Sequence, residues 1–187
     1  LYFIVASGFT LVFGLMRNVN LAHGSLYLLG GYVGYVVAAW TGWWIIALAA
    51  GFLAAALAGL LMQWGILRHM QGQELRQTMV TIGLSIVVAD ILLWIFTGQV
   101  HQMEAPEWLQ GPIRGIPLIN AYGAFRLSLL GFGIAIGLFL WWLLSRTRVG
   151  MMIRAGVDDR AMLAAAGVNV NLVFAVTFAL GAGLAGF

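Results

Sequence analysis

Residues 43–67 read WWIIALAAGFLAAALAGLLMQWGIL, twenty-five positions without one charged side chain. As a helix rising 1.5 Å per residue the run is about 37 Å long, enough to cross a hydrocarbon core of about 30 Å. Trp43 and Trp44 stand at one end and Trp64 near the other, where amphipathic rings sit at the two membrane–water boundaries. Between them Gly51, Ala55 and Gly59 recur every fourth residue, a stripe that lets a second helix come close. Barrel strands would alternate polar and apolar residues, and this run does not.

Five more apolar segments flank it: Leu1 to Met16, Leu26 to Trp40, Met79 to Thr97, Leu127 to Leu144, and Leu172 to Phe187. The expected fold is therefore an all-α, polytopic transmembrane bundle with about six membrane segments, read as one domain over 1–187. Composition agrees, since hydrophobic residues make up 63% of the chain and charged residues only 8%, against about a quarter charged in a soluble domain. The first residue is Leu1 rather than Met, and the sequence stops inside an apolar run, so an internal piece of a longer protein is expected.

Orientation follows from arginine, the only strong base present. Alternating the segments puts Arg17, Arg68, Arg76, Arg146, Arg148, Arg154 and Arg160 on one side and only Arg114 and Arg126 on the other. The arginine-rich side is expected to face the cytoplasm. Residues 98–126, with Glu104, Glu107 and all three prolines, become an external loop, and 145–171 a cytoplasmic one.

Several chemistries are excluded or unsupported. A chain without lysine cannot supply a phosphate-binding G-x-x-x-x-G-K-[ST] loop, so it cannot hydrolyse ATP by that route. No cysteine means no disulfide and no thiolate metal site. His23, His69 and His101 have no helical partner four residues away, so no metal site is expected. No G-x-S-x-G elbow accompanies His23-Gly24-Ser25, and the scattered arginines form no nucleic-acid stripe. An enzyme is not expected.

Three places could carry function. The first is RNVNLAHGS, residues 17–25, beside a second segment only 15 residues long, about 22 Å as a helix and short for a bilayer. If that helix starts near Asn20, then Asn20, His23 and Gly24 share one face at membrane depth and must meet protein or water. The alternative is a surface turn with Ser25 as the helix cap. The second is Asp90, the one carboxylate inside a span, on the face of Met79 and Gly83 and opposite Thr81. It is either a functional group or a structural one paired with Arg126 or placed near the external interface. The third is the 145–171 segment, SRTRVGMMIRAGVDDRAMLAAAGVNVN. There Asp158 is expected to cap a short helix through Ala166, Asp159 to complement its dipole, and Gly167 to end it. Met162, Leu163 and Ala166 give that helix an apolar side suited to docking on another protein, the alternative being a solvated loop.

GFTLVFGLMRNVNLAHGSLYLLGGYV (8–33), RQTMVTIGLS (76–85) and RTRVGMMIRAGVDDRAMLAAAGVNVNLVFAVTFALGAGLAGF (146–187) together resemble the permease subunits of branched-chain amino-acid ABC importers, a group with urea and amide relatives. The family island N-F-A-H-G stands here as Asn20-Leu21-Ala22-His23-Gly24, where sugar permeases carry an acidic D-L-S-V-G type. Two positions depart from the family pattern: Met151 stands where Arg is frequent, and Ala89-Asp90 where Gln-Asn is common. The resemblance implies an ABC importer permease fold in a bacterial inner membrane, no cofactor in this chain, and ATP hydrolysed by partner subunits. It implies as partners, besides membrane lipid, two cytoplasmic ATPases, a second permease and a periplasmic solute-binding protein. Asn20, His23, Gly24, Thr81 and Asp90 are then candidates for the translocation path. Arg154, Asp158, Asp159, Leu163 and Gly167 are candidates for the ATPase-coupling loop. The alternative from another class is an ion-coupled secondary transporter or facilitator using Asp90; a purely structural membrane subunit is a third.

Overall fold

A computed structural model describes residues 2–16, 20–70, 72–98 and 124–187. Every regular element among them is helical: α1 (Tyr2–Met16), α2 (His23–Thr41), α3 (Trp44–Gly65), a 3-10 turn (Leu67–Met70), α4 (Glu74–Phe96), α5 (Ala124–Arg146), α6 (Arg148–Asp158), α7 (Arg160–Ala165) and α8 (Val170–Ala185). Three of these, α3, α4 and α5, are long and apolar enough to cross a membrane; α1 and α8 are apolar but shorter. Helix α2 has 19 residues, yet four glycines, three tyrosines and a polar first turn make it less apolar. The six expected segments thus each correspond to a helix. Most of the external loop expected over 98–126, with Arg114 and His101, lies outside the described residues, as does Arg17.

Glycine and short polar side chains set the breaks. Helices α2 and α3 are joined through Gly42, whose φ of 68° suits a residue without Cβ and whose N–H donates to the Ala38 carbonyl at 2.9 Å. Between α5 and α6 the chain turns at extended Thr147, whose hydroxyl accepts from Gly150 N at 3.1 Å. A Cβ on Gly150 would strike the carbonyls of Leu143 and Leu144, so glycine is what lets α6 fold back under α5. Helix α6 is amphipathic and lays Gly150, Ile153 and Gly156 against the bundle.

The core is built around α8. It packs on α3 and α1 and also touches α2 and α6, and Phe174 and Phe178 lie fully buried among Val12, Leu26, Met62, Leu67 and Ile153. Small residues make that packing close. A Cβ on Gly51 of α3 would meet the carbonyl oxygens of Gly30 on α2 and Gly186 just past α8, and one on Gly59 would meet Phe178 and Ala182. The Gly51–Ala55–Gly59 stripe therefore joins helices within one chain. Helix α5 buries no residue; it leans mainly on α1 and α6, with ring contacts from Phe125 to Trp44 and from Phe132 to Phe187.

Candidate functional site

Of the described part of the island, residues 20–25, Asn20, Ala22, His23 and Ser25 are buried while Leu21 and Gly24 are exposed. Helix α2 begins at His23. The Asn20 side-chain oxygen accepts from Ala22 N at 3.1 Å and its carbonyl accepts from His23 N at 3.3 Å, an asparagine-centred turn that delivers the chain into the helix. The expectation that the helix starts near Asn20 is thus corrected by three residues, because this side chain competes with the helical hydrogen bond. Ser25 is not the cap either; its hydroxyl donates back to the Ala22 carbonyl at 2.8 Å.

Depth can be read from the neighbours. His23 Nε2 donates to the Val5 carbonyl at 3.1 Å and its ring lies edge-on to Phe9, with centroids 5.6 Å apart. Those α1 residues lie eleven and seven positions before the helix ends at Met16. The Leu21 N–H donates to Thr81 Oγ1 at 3.3 Å, seven positions after α4 begins at Glu74. At 1.5 Å per residue these offsets put the island about 10–16 Å inside the arginine-rich end of the bundle.

Asn20, His23 and Thr81 are therefore brought together, from the entry to α2 and the second turn of α4. They are 5%, 6% and 1% exposed. Thr81 is fully engaged, donating to the Thr78 carbonyl at 2.8 Å. The other two are not: Asn20 Nδ2 and His23 Nδ1 are buried without a partner. Since Nε2 carries the proton given to Val5, Nδ1 of a neutral ring is an acceptor. This buried polar cluster thus leaves one amide NH2 group and one ring-nitrogen acceptor without partners, both uncharged.

Two expected members do not join them. Gly24 is exposed and a Cβ there would touch nothing within 4 Å, so it serves no close approach. Asp90 is exposed on α4, a helix that packs on α2 and the 3-10 turn. A buried polar residue that sequence reading passed over is Gln63, 1% exposed with both amide atoms unpartnered. Its signal was available: it is the next four-residue step of the Gly51–Ala55–Gly59 stripe.

At the arginine-rich end, Asp159 caps α7, not Asp158. Its carboxylate accepts from Ala161 N at 2.8 Å and Met162 N at 3.0 Å, while Asp158 is the last residue of α6. Two adjacent carboxylates made the register ambiguous, and extended backbone at Asp159 decides it. Gly167, at φ 82°, ends the unit, with Val168 N donating to the Leu163 carbonyl at 3.3 Å. Leu163 is not on the outer face as expected; it is 7% exposed and pins α7 to its own chain, whereas Met162 is 73% exposed. The Arg160 guanidinium lies 4.6 Å from the Phe174 ring centroid and ties the start of α7 to α8. Arg154 is exposed and edges an apolar groove between α1, α5 and α6. No cluster of three or more metal-ligating side chains occurs among the described residues.

Comparison with known proteins fits these features. Residues 1–187 match the family described as the branched-chain amino acid transport system permease component. The chain is 27% identical over 98% of its length to the high-affinity branched-chain amino acid transport system permease protein BraD of Pseudomonas aeruginosa, covering 64% of that protein. It is 26% identical over 98% of its length to LivH of Escherichia coli K12, covering 63%, and 25% identical to LivH of Salmonella typhimurium with the same coverage. The chain thus spans a little under two thirds of these relatives. No solved structure matches it. With the match running the full length of the sequence, this multi-pass membrane chain belongs to the branched-chain amino acid transport permease family.

Proposed function

We propose that the chain is a permease subunit of an ATP-driven importer in a bacterial inner membrane, carrying branched-chain amino acids or related amino acids, amides or urea. It works with a second permease subunit, two cytoplasmic ATPases and a periplasmic solute-binding protein, and hydrolyses no ATP itself. The relatives named for branched-chain amino acid transport support the solute class.

The observation that carries the mechanism is α7. It is a capped helix outside the bundle whose inner residue, Leu163, is anchored and whose outer residues Met162, Ala165 and Ala166 are exposed. An apolar outer face of that kind fits a protein surface such as an ATPase, and residues 145–171 form the coupling segment. Only residues 166–169 separate α7 from α8, so a push on α7 is delivered to the helix at the centre of the core. Rocking of α8 against α1, α2 and α3 then changes access to the buried polar pocket. Asn20, His23 and Thr81 line the inner part of the path, where uncharged hydrogen-bonding groups hold a polar solute without trapping it. Arg154 and Asp158, both exposed beside α7, belong to the same coupling surface. The ion-coupled alternative would need Asp90 at this pocket, and Asp90 lies on an exposed face of α4.

The test is reconstitution of the full importer in proteoliposomes. ATP-dependent uptake of leucine, isoleucine or valine, dependent on the binding protein, is expected. Uptake that runs on an ion gradient without ATPase subunits would replace this reading with the ion-coupled one.

A further inference from the structure

Gln63 is a misfit within its own helix. It sits two residues before the end of α3, on the stripe that faces α8 through Gly51, Ala55 and Gly59, and the stripe continues one turn later at fully buried Leu67. Met62 and Leu67 belong to the apolar cluster that contains Phe174 and Phe178 of α8. An amide enclosed there has neither its donor nor its acceptor satisfied. Trp44, at the far end of α3, supplies the one other unpartnered buried polar atom outside the Asn20–His23 pocket among the described residues. Gln63 is 1% exposed within this chain alone, so nothing packed outside the bundle is needed to bury it.

An unsatisfied buried amide penalises whichever packing encloses it and is relieved when water reaches it. The α3–α8 seam is otherwise closed by glycine, alanine and phenylalanine contacts, and α8 is the helix that α7 leads into. We propose that Gln63 is a positioning residue that biases the α3–α8 seam toward opening: its amide destabilises the packed seam and is hydrated when α8 moves away. The seam is then held shut by small-residue packing and loosened by one polar side chain, which keeps two arrangements close in energy. The proposal rests on the importer reading only for the transport effect; its consequences for packing stand apart.

The experiment compares the full complex with its Gln63→Met variant, which keeps the side-chain volume and removes the amide. The expected result is a rise in Tm of the detergent-solubilised complex by about 2–4 °C together with a several-fold fall in ATP-driven uptake. In the naturally cysteine-free chain, Gln63→Cys should react with a water-soluble maleimide faster during ATP turnover than at rest. A lower or unchanged Tm in the Met variant, failure of that variant to assemble, or equal labelling in the two states would overturn the proposal, since each means the amide supports the packed seam or stays dry. If the unmodified complex transports no amino acid while the Tm and labelling differences appear, the importer reading fails and the seam device stands.

Discussion

The entry to α2 and the capped helix α7 solve opposite problems. At Asn20 and His23, polar side chains are buried about 10–16 Å inside a bundle that stands in lipid; at Met162, Ala165 and Ala166, apolar side chains are exposed on a helix outside it. A soluble domain arranges these the other way round. Each inversion costs stability unless something meets it, and on the reading proposed above what meets it differs: a polar solute or water in the first place, a protein surface in the second. The contrast teaches that the two candidate sites are marked by residues in the wrong environment, and that α8, which follows α7 in the chain and packs in the core, is the element that would link them on the proposed reading.

The largest expected effect separates the anchor of α7 from its outer face. Leu163→Asp puts a charge where the chain buries Leu163 and should release α7 altogether, abolishing ATPase association and solute-stimulated hydrolysis. Met162→Asp, one residue away and exposed, should weaken association yet leave the Tm of the isolated permease unchanged. If both variants behave alike, the anchor and the docking face are not distinct.

Next come the pocket variants. His23→Leu removes the donor to Val5 and Asn20→Leu the acceptor for Ala22, and losing one such buried partner costs about 1–3 kcal/mol. Uptake should fall about tenfold or more while assembly persists, and His23→Gln, which can still donate, should be milder. Full uptake in both Leu variants would make the pocket structural.

Smaller is the loss of the α7 cap. Asp159→Ala leaves two N–H groups of the first turn unpaired, about 1 kcal/mol, and should lower stimulated ATP hydrolysis a few-fold; Asp158→Ala should not. Smallest of all is Gly24→Ala, which meets open space and should leave Tm within about 1–2 °C, the scale of a neutral surface change. A large effect there would mean that the exposed start of α2 is covered in the assembled importer.

Much of this was legible in the sequence. Long uncharged runs identify membrane helices because lipid offers the backbone no other partner, and the stripe of Gly51, Ala55 and Gly59 was readable as a packing face. The short second segment and its polar flank left burial at depth and a surface turn both open. What could not be read was register and partner. Asp158 and Asp159 are chemically equal, and only the extended backbone at Asp159 chooses between them. Helix α6 went unseen because its formation depends on Gly150 folding back on the Leu143 and Leu144 carbonyls, a tertiary contact. Gly24 and Gly30 look alike in sequence, yet only Gly30 meets another backbone. Leu163 and Met162 are both apolar, and which of them points inward follows from where Asp159 starts the helix.

The central claim is that the Asn20–His23 pocket lies at depth and opens only in the transport cycle. It is tested most directly by the labelling rates of two single-cysteine variants, His23→Cys and Met162→Cys, read from the arginine-rich side in inside-out vesicles. The Met162→Cys variant should react at once in the isolated permease, while the His23→Cys variant should react slowly at rest and several-fold faster when ATP drives turnover. Rapid labelling of the His23→Cys variant in every state, at the rate of the Met162→Cys variant, would make the island a solvated turn and contradict the account.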